Sequence, residues 1–212
     1  MSKNNLPSEI SVFPLSNAVF FPRTVLPLNI FEEKYIQLVN DSMRGERMFG
    51  MVQPKTRNNK SSEVYQIGCL GKIISFNETI DKRFVITLSG LIRFKIKKEV
   101  NKNKLYRSFN VDYSEFLNDL NFEEKKLSNF NKSALLNKIK NFLNKINYPI
   151  DYKELAELNL DQLVSSVSMI SPFSVEEKQK LVEAIDIEDK VKLLNEIINF
   201  NMFEQEENKT IQ

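Results

Sequence analysis

The sequence predicts an α+β fold in which a strongly curved antiparallel sheet comes first and a bundle of helices follows. Between residues 10 and 113, short runs of β-branched and aromatic residues are separated by turn-forming residues. From about residue 123 onward, apolar residues instead recur at helical spacing. The absence of alternating strands and helices argues against a parallel sheet. About six antiparallel strands could close into a pseudo-barrel, and closure would remove the exposed sheet edges.

The first strands are predicted to be short because prolines interrupt them. Three apolar segments lie at 10–15, 20–22 and 25–28, and each contains a proline. Proline has no backbone N–H to donate to a ladder, so it is confined to strand ends, edge strands and bulges. We therefore expect edge or bulged segments here.

One early helix follows, with four apolar residues on one face: Phe31, Tyr35, Leu38 and Val39. The first three match core packing so well that we assign them to the interior. Asn29 with Glu32 has the spacing of a capping box, which would begin the helix at Asn29, and Gly45 would end it.

A long β-hairpin is predicted between residues 65 and 88. Residues 65–76 are strand-like, with bends expected at Gly68 and Gly71. Asp81-Lys82 forms the tip, and apolar residues then alternate over 84–88.

Three other segments complete the predicted sheet. A buried strand at 48–52 precedes an exposed polar loop at 55–62. After Gly90, apolar residues alternate with cations over 92–97, which places the cations on the outer face, and a last strand holds 109–113.

The second half predicts about four antiparallel helices. Its apolar faces comprise Leu135, Ile139, Phe142 and Ile146, then Leu160, Leu163, Val164 and Val167, then Val191, Leu194, Ile197 and Ile198. Ser174 with Glu177 forms a capping box, and Asp186 caps the last helix. We predict a β-rich subdomain at 1–118, a helical subdomain at 119–203 and a disordered tail at 204–212.

The composition bounds the function classes. Lysine plus arginine exceed aspartate plus glutamate by only 30 to 28, so the whole protein has no field that attracts nucleic acid or an anionic membrane. A single cysteine excludes an internal disulfide framework, and the first twenty residues lack an uninterrupted apolar signal core. No apolar run is long enough to cross a bilayer. We expect a soluble, cytoplasmic protein.

Catalysis is not expected. The sequence has no histidine, which excludes imidazole-based triads and histidine-ligated zinc. The segment 68–72 departs from a phosphate-binding loop, because two residues instead of four separate its glycines and Ile73 follows the lysine. Cys69 lies in an apolar run that favours an inert buried thiol. We predict no cofactor, no metal and no catalytic residue.

Several segments, spread over nearly the whole chain, resemble the N-terminal domain of Lon proteases: 13–15, 21–22, 26–28, 31–35, 66–68, 88–96 and 178–182. The resemblance implies a PUA-like pseudo-barrel followed by a helical bundle. It also implies recognition of unfolded or degron-bearing polypeptides, here by a stand-alone relative without ATPase or protease domains that acts as an adaptor or holding factor, with or without a protease partner. The family's usual proline-aspartate-glycine hairpin tip is replaced by Ile80-Asp81-Lys82, and Asp81 tolerates such a turn.

Two surfaces are candidate binding sites. The first offers apolar groups beside adaptable polar ones for polypeptides: Phe20, Phe21, Pro22, Glu33, Lys34 and Gln37. Core packing of Phe20 and Phe21 is the alternative. The second would bind RNA phosphates, as many PUA-like proteins do, through a basic stretch: Arg93, Lys95, Lys97, Lys104 and Arg107. A solvated outer strand face is its alternative, and salt dependence would separate the two functions.

Overall fold

Six strands form one sheet in the first half of the chain. The computed structural model describes residues 6–55, 63–121 and 130–210, with side chains described to 203. Its strands are β1 (Glu9–Pro14), β2 (Val25–Ile30), β3 (Met48–Val52), β4 (Ile67–Glu78), β5 (Phe84–Val100) and β6 (Arg107–Asp112). They lie in the order β2-β5-β4-β3-β1-β6, and β6 also pairs with β5. Five strands therefore close on themselves, as predicted, and β2 flanks the barrel.

The expectation of a purely antiparallel sheet is wrong. β1 pairs with β3 in parallel, and Val12 lies opposite Gly50. The chain between these strands contains β2 and a helix, and a connection of that length allows β3 to run in the same direction as β1.

Phe94 is fully buried, and its ring lies close to two glycines of neighbouring strands. A Cβ atom on Gly50 would lie 2.7 Å from the Phe94 ring, and one on Gly68 would lie 2.8 Å from it. Gly68 was expected at a bend but lies inside β4, where a side chain would meet the Met51 carbonyl oxygen as well as this ring. Gly71 adjoins a register shift between β4 and β5.

The early helix, α1 (Glu33–Met43), starts later than predicted. Tyr35 and Leu38 are buried as expected, and Tyr35 stacks on Phe13 with ring centroids 4.0 Å apart. Phe31, however, is 64% exposed, so its assignment to the core is wrong. Pairing of β2 with β5 through Ile30 keeps the backbone extended and removes the predicted capping box at Asn29.

The hairpin tip has the turn geometry that a glycine would normally supply. Lys82 has φ 61°, and its N–H donates to Thr79 O at 2.9 Å. The Thr79 N–H donates to Arg83 O at 2.9 Å, and Arg83 pairs with Asp81 at 2.7 Å. The hairpin predicted without proline or glycine therefore forms with a left-handed residue at Lys82.

Five helices occupy the described part of the second half, one more than the approximate number predicted. They are α2 (Lys132–Lys145), α3 (Tyr152–Glu157), α4 (Leu160–Ile170), α5 (Val175–Glu183) and α6 (Ile187–Thr210). The predicted apolar faces are buried apart from Ile146, which is half-buried. The capping box of Ser174 and Glu177 is present, and α6 packs on α2, α4 and α5.

The chain divides into two compact units, residues 1–122 and 123–212. The predicted boundary at 118 falls inside a 3₁₀ segment, Ser114–Leu120, that packs on β5. The predicted tail begins within α6, whose bounds extend to Thr210. Most of the predicted exposed loop, 56–62, and the last two residues lie outside the described residues. In the described chain, no helix is both long and apolar enough to cross a membrane.

Candidate functional site

Phe20 and Phe21 belong to the core and cannot line an exposed peptide site. Both are buried, and both use space left by glycines that face each other across β4 and β5. A Cβ atom on Gly71 would lie 2.7 Å from the Phe20 ring, and one on Gly90 would lie 1.9 Å from the Phe21 carbonyl oxygen. Of the two readings of these phenylalanines, the structure therefore supports core packing.

The other predicted peptide-binding residues make local contacts. Pro22 is buried. Lys34 pairs with Glu32 at 3.1 Å and lies 4.6 Å from the Tyr35 ring centroid. The Gln37 side-chain oxygen accepts a hydrogen bond from the Leu105 N–H at 2.9 Å. Glu33 is exposed in the first turn of α1.

Arg93 is buried, so its assignment to the outer, RNA-facing surface is wrong. Its side chain is 2% exposed and makes a bidentate pair with Asp119: Nε donates to Oδ2 at 2.9 Å and the second guanidinium nitrogen to Oδ1 at 2.8 Å. The Arg93 backbone N–H also donates to this carboxylate, at 3.0 Å. The guanidinium lies over the Phe116 ring, 4.5 Å from its centroid. The 3₁₀ segment thus covers the outer face of β5 at this residue.

The four other cations of the predicted basic stretch each have an acidic partner. Lys95 pairs with Glu115 at 2.7 Å, Lys97 with Asp112 at 3.1 Å, Lys104 with Asp41 at 3.0 Å and Arg107 with Glu99 at 2.6 Å. The hydrogen bonds from Lys104 and Arg107 lower the pKa values of Asp41 and Glu99, respectively. The pKa of Asp112 is lowered to about 2, first by the hydrogen bond from the Ser114 N–H and then by the contact with Lys97. The surface is therefore charge-balanced, which disfavours a phosphate-binding site.

β2 offers a different surface, because it is the one described strand that pairs on a single side. The Gly90 N–H donates to Thr24 O at 2.9 Å, which fixes the alternation: even-numbered residues of β2 direct their backbone groups at β5. Val25, Pro27 and Asn29 therefore direct theirs away from the sheet. We call these outward backbone groups of β2 the open edge.

The sheet face beside the open edge carries almost no charge. β2, β5 and β4 place nine side chains in three cross-strand rows: Val25, Ser89 and Lys72; Pro27, Thr87 and Ser75; Asn29, Val85 and Asn77. Lys72 is the one ionisable residue of the nine, and it lies on β4, two strands from the open edge. Val25 is 58% exposed and Val85 is 42% exposed. We call these nine residues the uncharged face.

An exposed aromatic ring ends the open edge. Phe31 follows the last residue of β2 directly, and the Arg83 guanidinium lies 5.9 Å from its ring centroid. On the other side of the hairpin, Phe76 packs on Phe84 with ring centroids 4.9 Å apart. A peptide that adds a strand to a sheet binds through the unpaired backbone of the edge and through the apolar side chains beside it.

The cysteine and the acidic residues are candidate sources of metal ligands or of a reactive thiol. Cys69 is fully buried, as predicted, and its thiol faces the Leu70 carbonyl oxygen at 3.6 Å. Among the described side chains, no three acidic or cysteine groups come together as metal ligands. The chemistry available at the open edge is hydrogen bonding and apolar contact.

Comparison with known proteins identifies the family of this chain. A family model described as the ATP-dependent protease La (LON) substrate-binding domain matches residues 9–199. The chain belongs to this family.

Relatives in this family are named Lon protease and are much longer than this chain. The Lon protease of Anaeromyxobacter dehalogenans is 24% identical over 94% of this chain, and that of Malacoplasma penetrans is 29% identical over 78%. This chain spans 24% and 22% of their lengths.

Two solved Lon structures share the fold. A Lon N-terminal domain protein from Xanthomonas campestris gives a TM-score of 0.63 at 17% identity, covering 89% of this chain and 97% of that one. The N-terminal domain of Mycobacterium avium complex Lon protease gives 0.62 at 12% identity, covering 90% and 98%. The predicted Lon-type α+β fold is thereby confirmed.

The sequence predicted that the segment around Pro27 is an edge strand or bulged, but it did not predict that this segment forms part of a candidate binding surface. Pro27 predicted an edge or bulged segment, and β2 is an edge strand. The uncharged face depends on which residues of three strands lie opposite each other, and that register is absent from local periodicity.

Proposed function

We propose that this Lon-family chain is a polypeptide-recognition module that binds unfolded or degron-bearing segments and passes them to, or holds them for, a protease partner. Its membership of the substrate-binding family carries the proposal. An exposed strand edge beside an uncharged face supports it, because unfolded segments expose backbone and apolar groups together.

The proposal assigns binding without catalysis. The sequence lacks histidine, and its one thiol is buried. The paired cations favour polypeptide over RNA as the ligand, since phosphate contacts require basic groups that are free to release counterions.

The test compares one model protein in its native form and in a reduced, alkylated, permanently unfolded form, each titrated against the full chain. We expect binding of the unfolded form alone, with little dependence on salt because the contacts are apolar and backbone-mediated. Equal binding of both forms, or of neither, would reject the proposal. Mass spectrometry of the recovered model protein checks for cleavage, and fragments would contradict the non-catalytic assignment.

A further inference from the structure

We infer that the open edge captures an extended, uncharged polypeptide segment, which adds a strand to the sheet beside β2. This inference rests on the proposed function and specifies its ligand and its site. It concerns recognition through the ligand's backbone, so many sequences would be accepted, provided that they are extended and carry few charges near the edge.

The backbone of β2 defines the hydrogen bonds that an added strand would make. Val25 and Asn29 offer an outward N–H and an outward carbonyl each, whereas Pro27 offers a carbonyl alone. The edge therefore supplies two donors and three acceptors over the six residues of β2. An added strand would have its N–H groups satisfied at all three positions and would leave one carbonyl unpaired opposite Pro27.

Side chains on both sides of the edge favour an uncharged ligand. Alternate side chains of an added strand would lie beside Val25, Pro27 and Asn29 of the uncharged face. The remaining side chains would lie beside the other row of β2, formed by Leu26, Leu28 and Ile30, which is apolar. A charged residue would lose hydration on either side and would find no partner among the β2 side chains.

Pro27 argues against a second copy of this chain as the occupant. Antiparallel self-pairing of β2 about its centre would place Pro27 opposite Pro27, with two outward carbonyls facing each other and no donor between them. A foreign strand meets Pro27 with an N–H of its own and avoids this conflict. The occupant that fits best is therefore another polypeptide.

The test uses the full chain and a labelled, end-blocked, uncharged peptide of about ten residues, long enough to pair with all of β2. Asn29→Pro removes an outward donor without removing a β5 ladder bond. Asn29→Ala is the matched control, because it shortens the same side chain and keeps the N–H. Any loss in Asn29→Ala measures the contribution of the side chain. We expect Asn29→Pro to bind the peptide about tenfold more weakly than Asn29→Ala, the size of one or two backbone hydrogen bonds. Amide exchange at Val25 and Asn29 should slow when the peptide binds.

A second arm needs no variant and therefore decides the question even if Asn29→Pro misfolds. The same peptide, N-methylated at every residue so that neither of its edges can donate to β2, should lose binding to the unmodified chain. Equal binding of both peptides, or equal binding by Asn29→Pro and Asn29→Ala, would overturn the edge inference. Polypeptide recognition itself would survive, provided that the unfolded model protein still binds.

Two other outcomes overturn the inference in favour of another occupant. Self-association that Asn29→Pro abolishes would assign the open edge to a second copy. Slow amide exchange at Val25 and Asn29 in the unliganded monomer would show that another part of the same chain covers the edge. Failure of the full chain to bind any unfolded model protein would instead reject the proposed function.

Discussion

Replacing Asp119 by alanine should destabilise the first unit strongly. Breaking a neighbouring, exposed ion pair is the control with which this loss of stability is compared. The substitution removes both carboxylate contacts of the Arg93 side chain, which is 2% exposed, as well as the acceptor of its backbone N–H. Removing one partner of a buried pair leaves an uncompensated charge and costs about 3–5 kcal/mol. Glu115→Ala breaks the Lys95 pair between the same strand and the same 3₁₀ segment, but those side chains are 35% and 41% exposed. A pair this exposed contributes far less than a buried one, because solvent screens it.

Urea unfolding followed by circular dichroism, with amide exchange in β5 to isolate the first unit, measures both effects. With a denaturant slope of about 2 kcal/mol per molar, Asp119→Ala should lower the midpoint by about 2 M. Adding Arg93→Met to Asp119→Ala should recover part of this loss, because the methionine places no charge in the buried site. If Asp119→Ala costs no more than Glu115→Ala, or if the double variant is less stable than Asp119→Ala alone, the buried-pair reasoning is wrong.

Three further predictions concern packing, pH and ligand class. Gly90→Ala places a Cβ atom 1.9 Å from Phe21 O and should unfold the first unit in a thermal scan, whereas Gly45→Ala, whose nearest atom is 3.9 Å away, should leave the midpoint nearly unchanged. Burial, with a hydrogen bond to Asp41, raises the pKa of Tyr106 to about 12 from 10.0, so its contribution to stability is complete below about pH 10 and is lost as the pH rises through 12. The stability advantage over Tyr106→Phe should shrink across that range in urea titrations, and a constant difference would contradict the assignment. The basic stretch should give no salt-sensitive RNA binding in a filter assay, and a steep salt dependence would restore the RNA-binding alternative.

Local periodicity predicted most strands and helices. It failed to predict the burial of residues that are covered or paired by a segment distant in sequence. The alternation in the hairpin correctly placed Ile86 and Leu88 inside, because one face of that part of β5 is solvated. The same alternation placed Arg93 outside, but the 3₁₀ segment packs over this part of the strand and covers its outer face. Phe31 fits the helical spacing of α1, yet it lies before the helix because β2 pairs through Ile30. Pairing register and tertiary cover are non-local properties, and periodicity within a window does not contain them.

The candidate site was missed for a related reason. Sequence reasoning located exposed apolar groups at Phe20 and Phe21, next to a proline. The decisive information is that Gly71 and Gly90 lie opposite each other, so that the rings and backbone of this segment enter the sheet. Two glycines that are distant in sequence leave one shared space for another segment only when strand pairing places them opposite each other.

The open edge is not needed to close the barrel, which makes its exposure informative. β5 closes the ring by pairing with β6 through residues 95–100, whereas β2 pairs with a different part of β5, residues 84–89. β2 adds a six-residue strand that leaves its own outer side unpaired, a feature that proteins otherwise avoid. Pro27 blocks self-pairing at the centre of β2 while Val25 and Asn29 keep their outward donors. The same segment keeps Phe21 fully buried yet leaves Phe31 exposed at the end of the edge. β2 thus resists pairing with a second copy of itself while it keeps two outward donors and an exposed ring beside them. This combination suits an edge that accepts a foreign strand.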